Sequence, residues 1–445
     1  LLKSKGYGNF LELFTYYICI VIKIEKGVFK MYGSSKIELN DLTPNERLRL
    51  RLLSEMSRKL YNRSMQIIID TYENQGKVLY YDSLKPLVKD TEEYKNITGY
   101  YYATICAAVA DFRKYLSTDM YVLNKTDRTL KDKNLDKFYP PKLRDEPRII
   151  EMKQPLIKDG FVILPATKQT PPVRLRIPEC YRSKDIRAVT VRPLHNMTHW
   201  EMIISYPLET VHHSDLDYSH ALGIDLGMVN FATCADSVSG ECFIVDGKGL
   251  KSILQGYSKY LASLRRASGQ NDTKRIAALK KRTYQRVNNF VGKATSYIIK
   301  YCLEHGIGKV CLGWGVHFQG QGSNLNLSLG VNNQLFYLFP FAKFKNALQA
   351  KCQLHGIHFV LVDESYTSQA SALDNDTMPE HITGTKQHFS GKRIHRGLYM
   401  SADGIKTNAD QNAVWNILRK GSVTLPFLQG ADGRGLMPPY RVKVI

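Results

Sequence analysis

The sequence predicts a multidomain α+β protein: an N-terminal β-barrel interrupted by a helical domain, then an α/β domain that carries a small insert. Three observations lead there. A strand pattern at 31–39 gives way to helical periodicity from residue 43 and returns as short strands from residue 160. From residue 223 three consecutive strand patterns are followed by alternating helices and strands. The 445 residues are enough for roughly two to four domains, and 43% hydrophobic with 23% charged residues excludes wholesale disorder.

The elements follow in order. Residues 31–39 (MYGSSKIEL) read as the first barrel strand. Thr43-Pro44-Asn45-Glu46 starts a helix: Thr43 caps it, Pro44 suits its first position and Glu46 closes a capping box. Leu48, Leu52, Met56 and Leu60 recur at helical spacing and carry the helix to about residue 74. Residues 82–120 continue the helical domain, with Tyr100, Tyr101 and Tyr102 suited to core packing or to base stacking. The polar, Pro-containing stretch 124–148 is a loop. Segments 160–165, 172–177, 187–192 and 199–206 are short, β-rich and separated by turn residues. The barrel is therefore 31–42 with 155–210, and the helical domain 43–154 is inserted in it. Next come strands GIDLG (223–227), NFATCAD (230–236) and ECFIVDG (241–247), helices at about 249–268 and 273–305, and strand KVCLGWG (309–315). A helix at about 340–355, strand HFVLVDES (358–365) and a last helix at about 408–420 complete the order of an RNase H-like domain, 218–365 with 407–421. An irregular basic insert spans 366–406 and a tail spans 422–445.

Residues 1–30 fit this scheme least. Residue 1 is Leu, and the apolar run 10–24 is broken by Glu12 and Lys23, too short and too interrupted for a membrane span. No small-residue cleavage site follows it. The segment reads as upstream sequence translated in frame ahead of Met31, or alternatively as an added strand or helix. Sixty-two Lys and Arg against 41 Asp and Glu give a net charge of +21, and removing the five Lys and two Glu of 1–30 leaves +18. A field of that sign points to a polyanion, nucleic acid first, and away from a membrane partner. The eight cysteines are scattered with no C-x-x-C, so neither a disulfide framework nor a cysteine zinc site is indicated, and a reducing, intracellular compartment is expected.

The chemistry candidates are acidic. Asp225 lies in G-I-D-L-G, Asp363 and Glu364 end the strand HFVLVDES, and Asp410 opens the last helix in N-A-D-Q-N-A-V-W-N-I-L. Several carboxylates around closely spaced metal ions are what phosphodiester hydrolysis by Mg²⁺ needs. Singly, each acid is equally a turn, cap or strand-end residue.

At these residues the sequence resembles the TnpB family, transposon-encoded RNA-guided nucleases ancestral to the type V CRISPR effectors. The resemblance runs from about Met31 to Gly421. G-I-D-L-G-M-V-N-F-A-T resembles the first RuvC motif of the family, and E-S-Y-T-S-Q with N-A-D-Q-N-A-V-W-N-I-L the segments opening and closing its zinc ribbon and third motif. It implies a wedge barrel with an inserted recognition domain, a RuvC-like nuclease, a guide RNA from the transposon end, and Mg²⁺-dependent cutting of double-stranded DNA. It also implies Asp225, Glu364 and Asp410 as catalytic and Mg²⁺-holding residues, around two ions, and a cytoplasmic, nucleoid-associated place in a prokaryotic host.

Two departures from the family follow. Its second RuvC motif ends the fourth strand with Glu, where this chain has Gly313 and Gly315. Either the nuclease is dead or the acid comes from the neighbouring fifth strand, where Glu364 is favoured over Asp363; some TnpB lineages and the eukaryotic Fanzor relatives have similarly rearranged sites. The four ribbon cysteines are replaced by Ala370, Leu373, Met400 and Asp403, so no zinc is expected despite His381, His388 and His395 nearby. Ala370, Leu373 and Met400 suit a metal-free mini-core instead.

Nucleic-acid contacts are expected from Arg47, Arg51, Arg58 and Lys59 on the first long helix, from Lys280, Lys281, Arg282 and Arg286 beside the nuclease, and from Lys392, Arg393 and Arg396 in the insert. The rival functions are a nuclease-dead, RNA-guided DNA-binding repressor and a DNA transposase with an RNase H-like fold.

Overall fold

A computed structural model describes residues 21–25, 28–97, 100–116, 141–146, 148–194, 197, 199–211, 213–270, 273–315, 336–379, 387–428 and 437–444. They fall into two compact units, one within 20–207 and one within 208–445.

The first unit opens with strands β1 (Val21–Glu25) and β2 (Val28–Glu38). Helices α1 (Pro44–Gln75), α2 (Tyr81–Val88), α3 (Glu92–Asn96) and α4 (Tyr101–Leu116) follow. Then come β3 (Ile150–Lys153), β4 (Leu156–Lys158), β5 (Phe161–Leu164), β6 (Val173–Arg176), the single turn α5 (Glu179–Arg182), β7 (Ala188–Leu194) and β8 (His199–Leu208). The order strand, helices, strands is the expected one. The expected boundary at residue 31 is not a boundary, because β1 pairs antiparallel with β2 across it; residues 1–20 lie outside the described residues. The strands expected to form the barrel lie in two sheets, β1-β2-β8-β7-β3 and β4-β5-β6. The break falls between β3 and β4, where Gln154 takes a positive φ of 55° and Pro155 offers no N–H. Placing β3 in the first sheet also moves 150–153 out of the expected helical domain.

The capping box forms as read: the Thr43 N–H donates to Glu46 Oε2 at 2.8 Å and the Glu46 N–H to Thr43 Oγ1 at 3.3 Å. The apolar residues that mark α1 as a helix do not all face the core. Leu50, Leu53, Leu60 and Ile68 are fully buried, whereas Leu48 and Leu52 are exposed. Ser54, Ser57 and Ser64 share the buried face. Their small side chains let α4 approach, and the Ser57 and Thr104 hydroxyls bond across the contact at 3.2 Å. Tyr100 is core, its hydroxyl donating to the Pro165 carbonyl at 2.9 Å, while Tyr102 is exposed.

The second unit comprises β9 (Asp217–Leu226), β10 (Asn230–Asp236), β11 (Cys242–Asp246), α6 (Lys248–Ser268), α7 (Lys274–Glu304), β12 (Ile307–Gly313), α8 (Phe341–Leu354) and β13 (His358–Val362). Strands β14 (Lys392–His395), β15 (Leu398–Met400) and β16 (Lys406–Asn408), helix α9 (Ala409–Lys420) and β17 (Tyr440–Val442) complete it. The sheet order is β13-β12-β9-β10-β11-β17, with β10 antiparallel to its neighbours and the other pairs parallel. Two expectations change here. The insert is not wholly irregular, since β14-β15-β16 form a small antiparallel sheet. The tail is not outside the domain, since β17 joins its main sheet.

Strand alternation sorts the residues of this sheet onto two faces. Leu222, Ile224 and Leu226 enter one core with Phe231, Phe290, Ile298 and Phe344, beneath α6, α7 and α8. Ala221, Cys311 and Val362 enter the other with Val414, Trp415, Ile417 and Leu418 of α9. Gly223 lets α9 lie down: a Cβ there would stand 2.6 Å from Leu418 Cγ.

Candidate active site

Asp225 continues the Ala221–Gly223 row, so alternation turns it toward the face that α9 covers. The helix starts beside it. Asn408 caps α9, accepting from the Asp410 N–H at 2.9 Å and the Gln411 N–H at 3.3 Å, and places the Asp410 carboxylate in the first turn, where the helix dipole favours an anion. Burial, then Asp410, then Glu364 hold the Asp225 carboxyl well above the usual range, with Arg393 opposing them. The three acids expected from the sequence thus share one electrostatic neighbourhood.

Glu364 reaches it by the same parity. Val360 and Val362 belong to the α9 face, and Glu364 is the next residue of that row. Its side chain fills the room left by Gly315: a Cβ on Gly315 would stand 2.1 Å from Glu364 Oε1 and 2.7 Å from Cδ. The strand that lacks its acid therefore opens the space in which the neighbouring strand's acid lies. Burial, then the Asp363 carboxylate, push Glu364 up to about 7. Asp363 is exposed and turned elsewhere, 2.9 Å from Lys420 Nζ and accepting from Ser365 Oγ at 2.9 Å. Burial works against its ionisation, but these two partners hold its carboxyl below the usual range.

Asparagines that the sequence reading did not single out, and Arg393, read there as a nucleic-acid contact, support the acids. Asn230 Nδ2 donates to Asp410 Oδ2. Arg393 Nη2 lies 3.7 Å from Asp410 Oδ1. Asn416 Nδ2 donates to the carbonyls of Thr367 at 3.0 Å and Ala370 at 2.7 Å, and Asn412 Nδ2 to that of Ala370 at 2.8 Å. Both asparagines are buried. They clamp the turn after Glu364, whose own carbonyl accepts from Thr367 Oγ1 at 2.8 Å. The available signal was their i, i+4 spacing from one another on the last helix.

The family model OrfB_IS605, described as "Probable transposase", matches residues 205–314, and the model "Cas12f1-like, TNB domain" matches residues 341–417. The first segment contains Asp225 and β12, the second Glu364 and Asp410. A solved structure, "Cryo-EM structure of the Cas12f1-sgRNA-target DNA complex", is similar at 15% identity over 84% of this chain and 82% of that one, with a TM-score of 0.52. "Cryo-EM structure of CRISPR-Cas12f Ternary Complex" is 14% identical over 83% and 80%, with a TM-score of 0.33. No curated protein matches the chain. Two segments of the chain are thus similar to a transposase family and to the Cas12f1-like TNB domain. The chain's mixed α+β, multidomain fold is similar to that of Cas12f1.

The positions aligned with the ribbon cysteines of the resembled family are part of the packing. Ala370 is fully buried, and Leu373 packs beside Ala372 and Trp415 in the α9 core rather than in a separate mini-core. Asp403 is exposed, and His381 lies outside the described residues. Of the expected nucleic-acid contacts, Arg47 instead ties the β2–α1 connection, donating to the Leu42 carbonyl at 3.1 Å and the Asn40 carbonyl at 3.2 Å. Arg58 pairs with Glu55 at 2.9 Å. Arg51 and Lys59 are exposed on α1, as are Arg282 and Arg286 on α7 and Lys392 and Arg396 on the insert; Lys280 and Lys281 are half-buried. The first unit adds a basic–aromatic hollow of about 300 Å³, lined by Lys89, Asp90, Tyr94, Lys95, Tyr101 and Lys168.

The donor chemistry of the acid cluster fits a hard divalent cation. Asp225, Glu364 and Asp410 offer only carboxylate oxygens, and the charges of Asp410 and Glu364 add to burial in raising the cost of ionising Asp225, a cost that a cation offsets. The geometry is open rather than closed. Among the described residues no three His, Cys, Asp or Glu side chains are gathered at metal-binding spacing. Arg393 supplies the positive charge beside Asp410.

Proposed function

We propose that the protein is an RNA-guided DNA endonuclease of transposon origin, cutting phosphodiesters at a RuvC-like site whose second-motif acid has moved to Glu364. The observation that carries this is the Glu364 carboxylate standing in the space above Gly315, on the face of Asp225 and Asp410. Asp225, Glu364 and Asp410 would hold Mg²⁺, two ions by the family's pattern. When bound, Mg²⁺ supplies an activated water and stabilises the leaving oxygen. The chain's own part is to hold the acids. Asp225 is fixed by its strand, Asp410 by the cap and dipole of α9, and Glu364 by the turn that Asn412 and Asn416 clamp.

The partners we assign are a guide RNA from the transposon end and a double-stranded DNA target. The similar Cas12f1 structure holds an sgRNA and target DNA. The net charge of +21 and the exposed Arg51, Lys59, Arg282, Arg286, Lys392 and Arg396 suit backbone gripping, while base pairing reads sequence. In a prokaryotic host such a protein works at the nucleoid, in the cytoplasm.

The test is to co-express the chain with candidate transposon-end RNA, purify the complex, and offer it DNA with a randomised flank and Mg²⁺. Cutting is expected, and Asp225→Ala, Glu364→Ala and Asp410→Ala should each lower it by more than the roughly 10–100-fold that loss of an outer metal-site partner costs, with target binding retained. Full cutting by Glu364→Ala refutes the relocation. A second reading, a guided DNA-binding protein that does not cut, is favoured by the open acid cluster and the Arg393–Asp410 pair; target retention with no cutting by the wild type selects it. Absence of co-purified RNA, with strand joining, selects the transposase.

A further inference from the structure

The C-terminal strand lies outside both matched segments, 205–314 and 341–417. It docks in a defined register on the sheet edge, with Phe243 opposite Tyr440, Ile244 opposite Arg441 and Val245 opposite Val442. Three residues of ladder are a weak hold, so side chains must supply the rest. Val444 enters the core beneath α6–α8, and the Tyr440 ring lies 5.9 Å from that of Phe243.

That register brings Arg441 to the active-site end of β10. Its Nη2 donates to Asn230 Oδ1 at 2.8 Å, and its Nη1 lies 3.5 Å from Asp246 Oδ1. The other end of the same amide, Asn230 Nδ2, donates to Asp410 Oδ2. A guanidinium has donors only and an ionised carboxylate accepts only. An amide placed between them satisfies both in one of its two orientations and neither in the other. With Arg441 absent, the Asp410 carboxylate alone selects the satisfying orientation, and the amide loses the partner that anchors its far end.

We propose that Arg441, delivered by the C-terminal strand, is a positioning residue that fixes the Asn230 amide and through it the rotamer of Asp410, so that the tail is a working part of the acid site. The inference rests on the reading of Asp410 as a member of that site. Neither Arg441 nor Asn230 touches the reacting atoms; both act by holding the carboxylate in place.

The test uses the full chain with its RNA and two readouts, Mn²⁺ affinity by electron paramagnetic resonance without DNA, and the rate of target cutting. Arg441→Ala is expected to weaken Mn²⁺ binding about 10-fold, within the range for outer metal-site partners. Asn230→Ala should do the same, and the double variant should be no worse than Asn230→Ala alone, because the two act in series. Arg441→Gln, which keeps a donor for Asn230 Oδ1 without the charge, should recover part of the affinity. Additive losses in the double variant, with a lowered melting temperature, would mean that Arg441 merely anchors the strand and would overturn the relay. Wild-type Mn²⁺ affinity and cutting in Arg441→Ala, beside an inert Asp410→Ala, would overturn it while leaving the acid site standing. Wild-type behaviour of Asp410→Ala would remove the site itself, and the relay with it.

Discussion

The two faces of the main sheet of the second unit are built differently. One is covered by α6, α7 and α8 and is filled with aromatics: the Phe231 ring meets those of Phe290 at 4.8 Å, Phe344 at 5.1 Å and Phe341 at 5.7 Å. The other is covered by α9, with Ala372, Leu373, Val423 and Leu425 packed beside it, and glycines set its thickness. A Cβ on Gly313 would stand 2.6 Å from Ile417 Cδ1, as one on Gly223 would from Leu418. The thick face buries apolar area and fixes where the strands end. The thin face leaves room at those ends for carboxylates and for the buried asparagines that support them. Strand alternation alone assigns each residue to one task or the other.

The largest effect should come from exchanging the acid on the thin face. Gly315→Ala places a Cβ where the Glu364 carboxylate lies, so Glu364 must leave and cutting should fall as far as in Glu364→Ala. Gly315→Glu combined with Glu364→Ala moves the acid back to the fourth strand and should recover much of the lost rate, read by the same cleavage assay. Undiminished cutting by Gly315→Ala would show that the shared space is irrelevant to the chemistry. On the thick face, Phe231→Ala should cost about 3–5 kcal/mol of stability through the lost ring and its cavity, read by urea unfolding of the full chain. A cost below about 1 kcal/mol would mean that the aromatic cluster closes over the gap, and that the two faces differ less than their packing suggests.

The sequence disclosed what is local. The expected helices at 249–268 and 273–305 lie within a residue of α6 and α7, because their periodicity, the Thr273 cap and the Gly269 stop are all short-range signals. The acids were singled out in the sequence because each ends or opens a recognisable element, and of the neighbouring pair Glu364 is half-buried while Asp363 is exposed. Periodicity marked α1 as a helix but does not say which face packs: Leu48 and Leu52 are exposed, while the buried face includes serines that no apolar count finds. The role of Arg441 was invisible because a three-residue strand pairs with a partner nearly 200 positions away, and no local pattern encodes a register. Asn412 and Asn416 belonged to a recognised string, yet what they clamp depends on where the chain after Glu364 folds back.

The smallest expected effect is the one that separates the faces by pH. Burial raises Glu364 to about 7 from an ordinary 4.5, so the folded chain binds that proton more tightly than the unfolded chain does. Between those values the native state carries more protons, and stability must fall as pH rises. The contribution is full below about 4.5 and lost above about 7, roughly 3 kcal/mol across the window. Asp225, also raised, acts in the same direction. In metal-free buffer the melting temperature should therefore decline from pH 5 to pH 8, and Glu364→Gln, which cannot ionise, should flatten the decline. Phe231→Ala should lower the whole curve without changing its slope, because no proton is exchanged on the thick face when that ring is lost. Added Mg²⁺ should restore the high-pH end in the wild type more than in Glu364→Gln, since the ion offsets a charge that the variant lacks. A slope unchanged by Glu364→Gln would place the titrating group elsewhere and detach Glu364 from the buried acids.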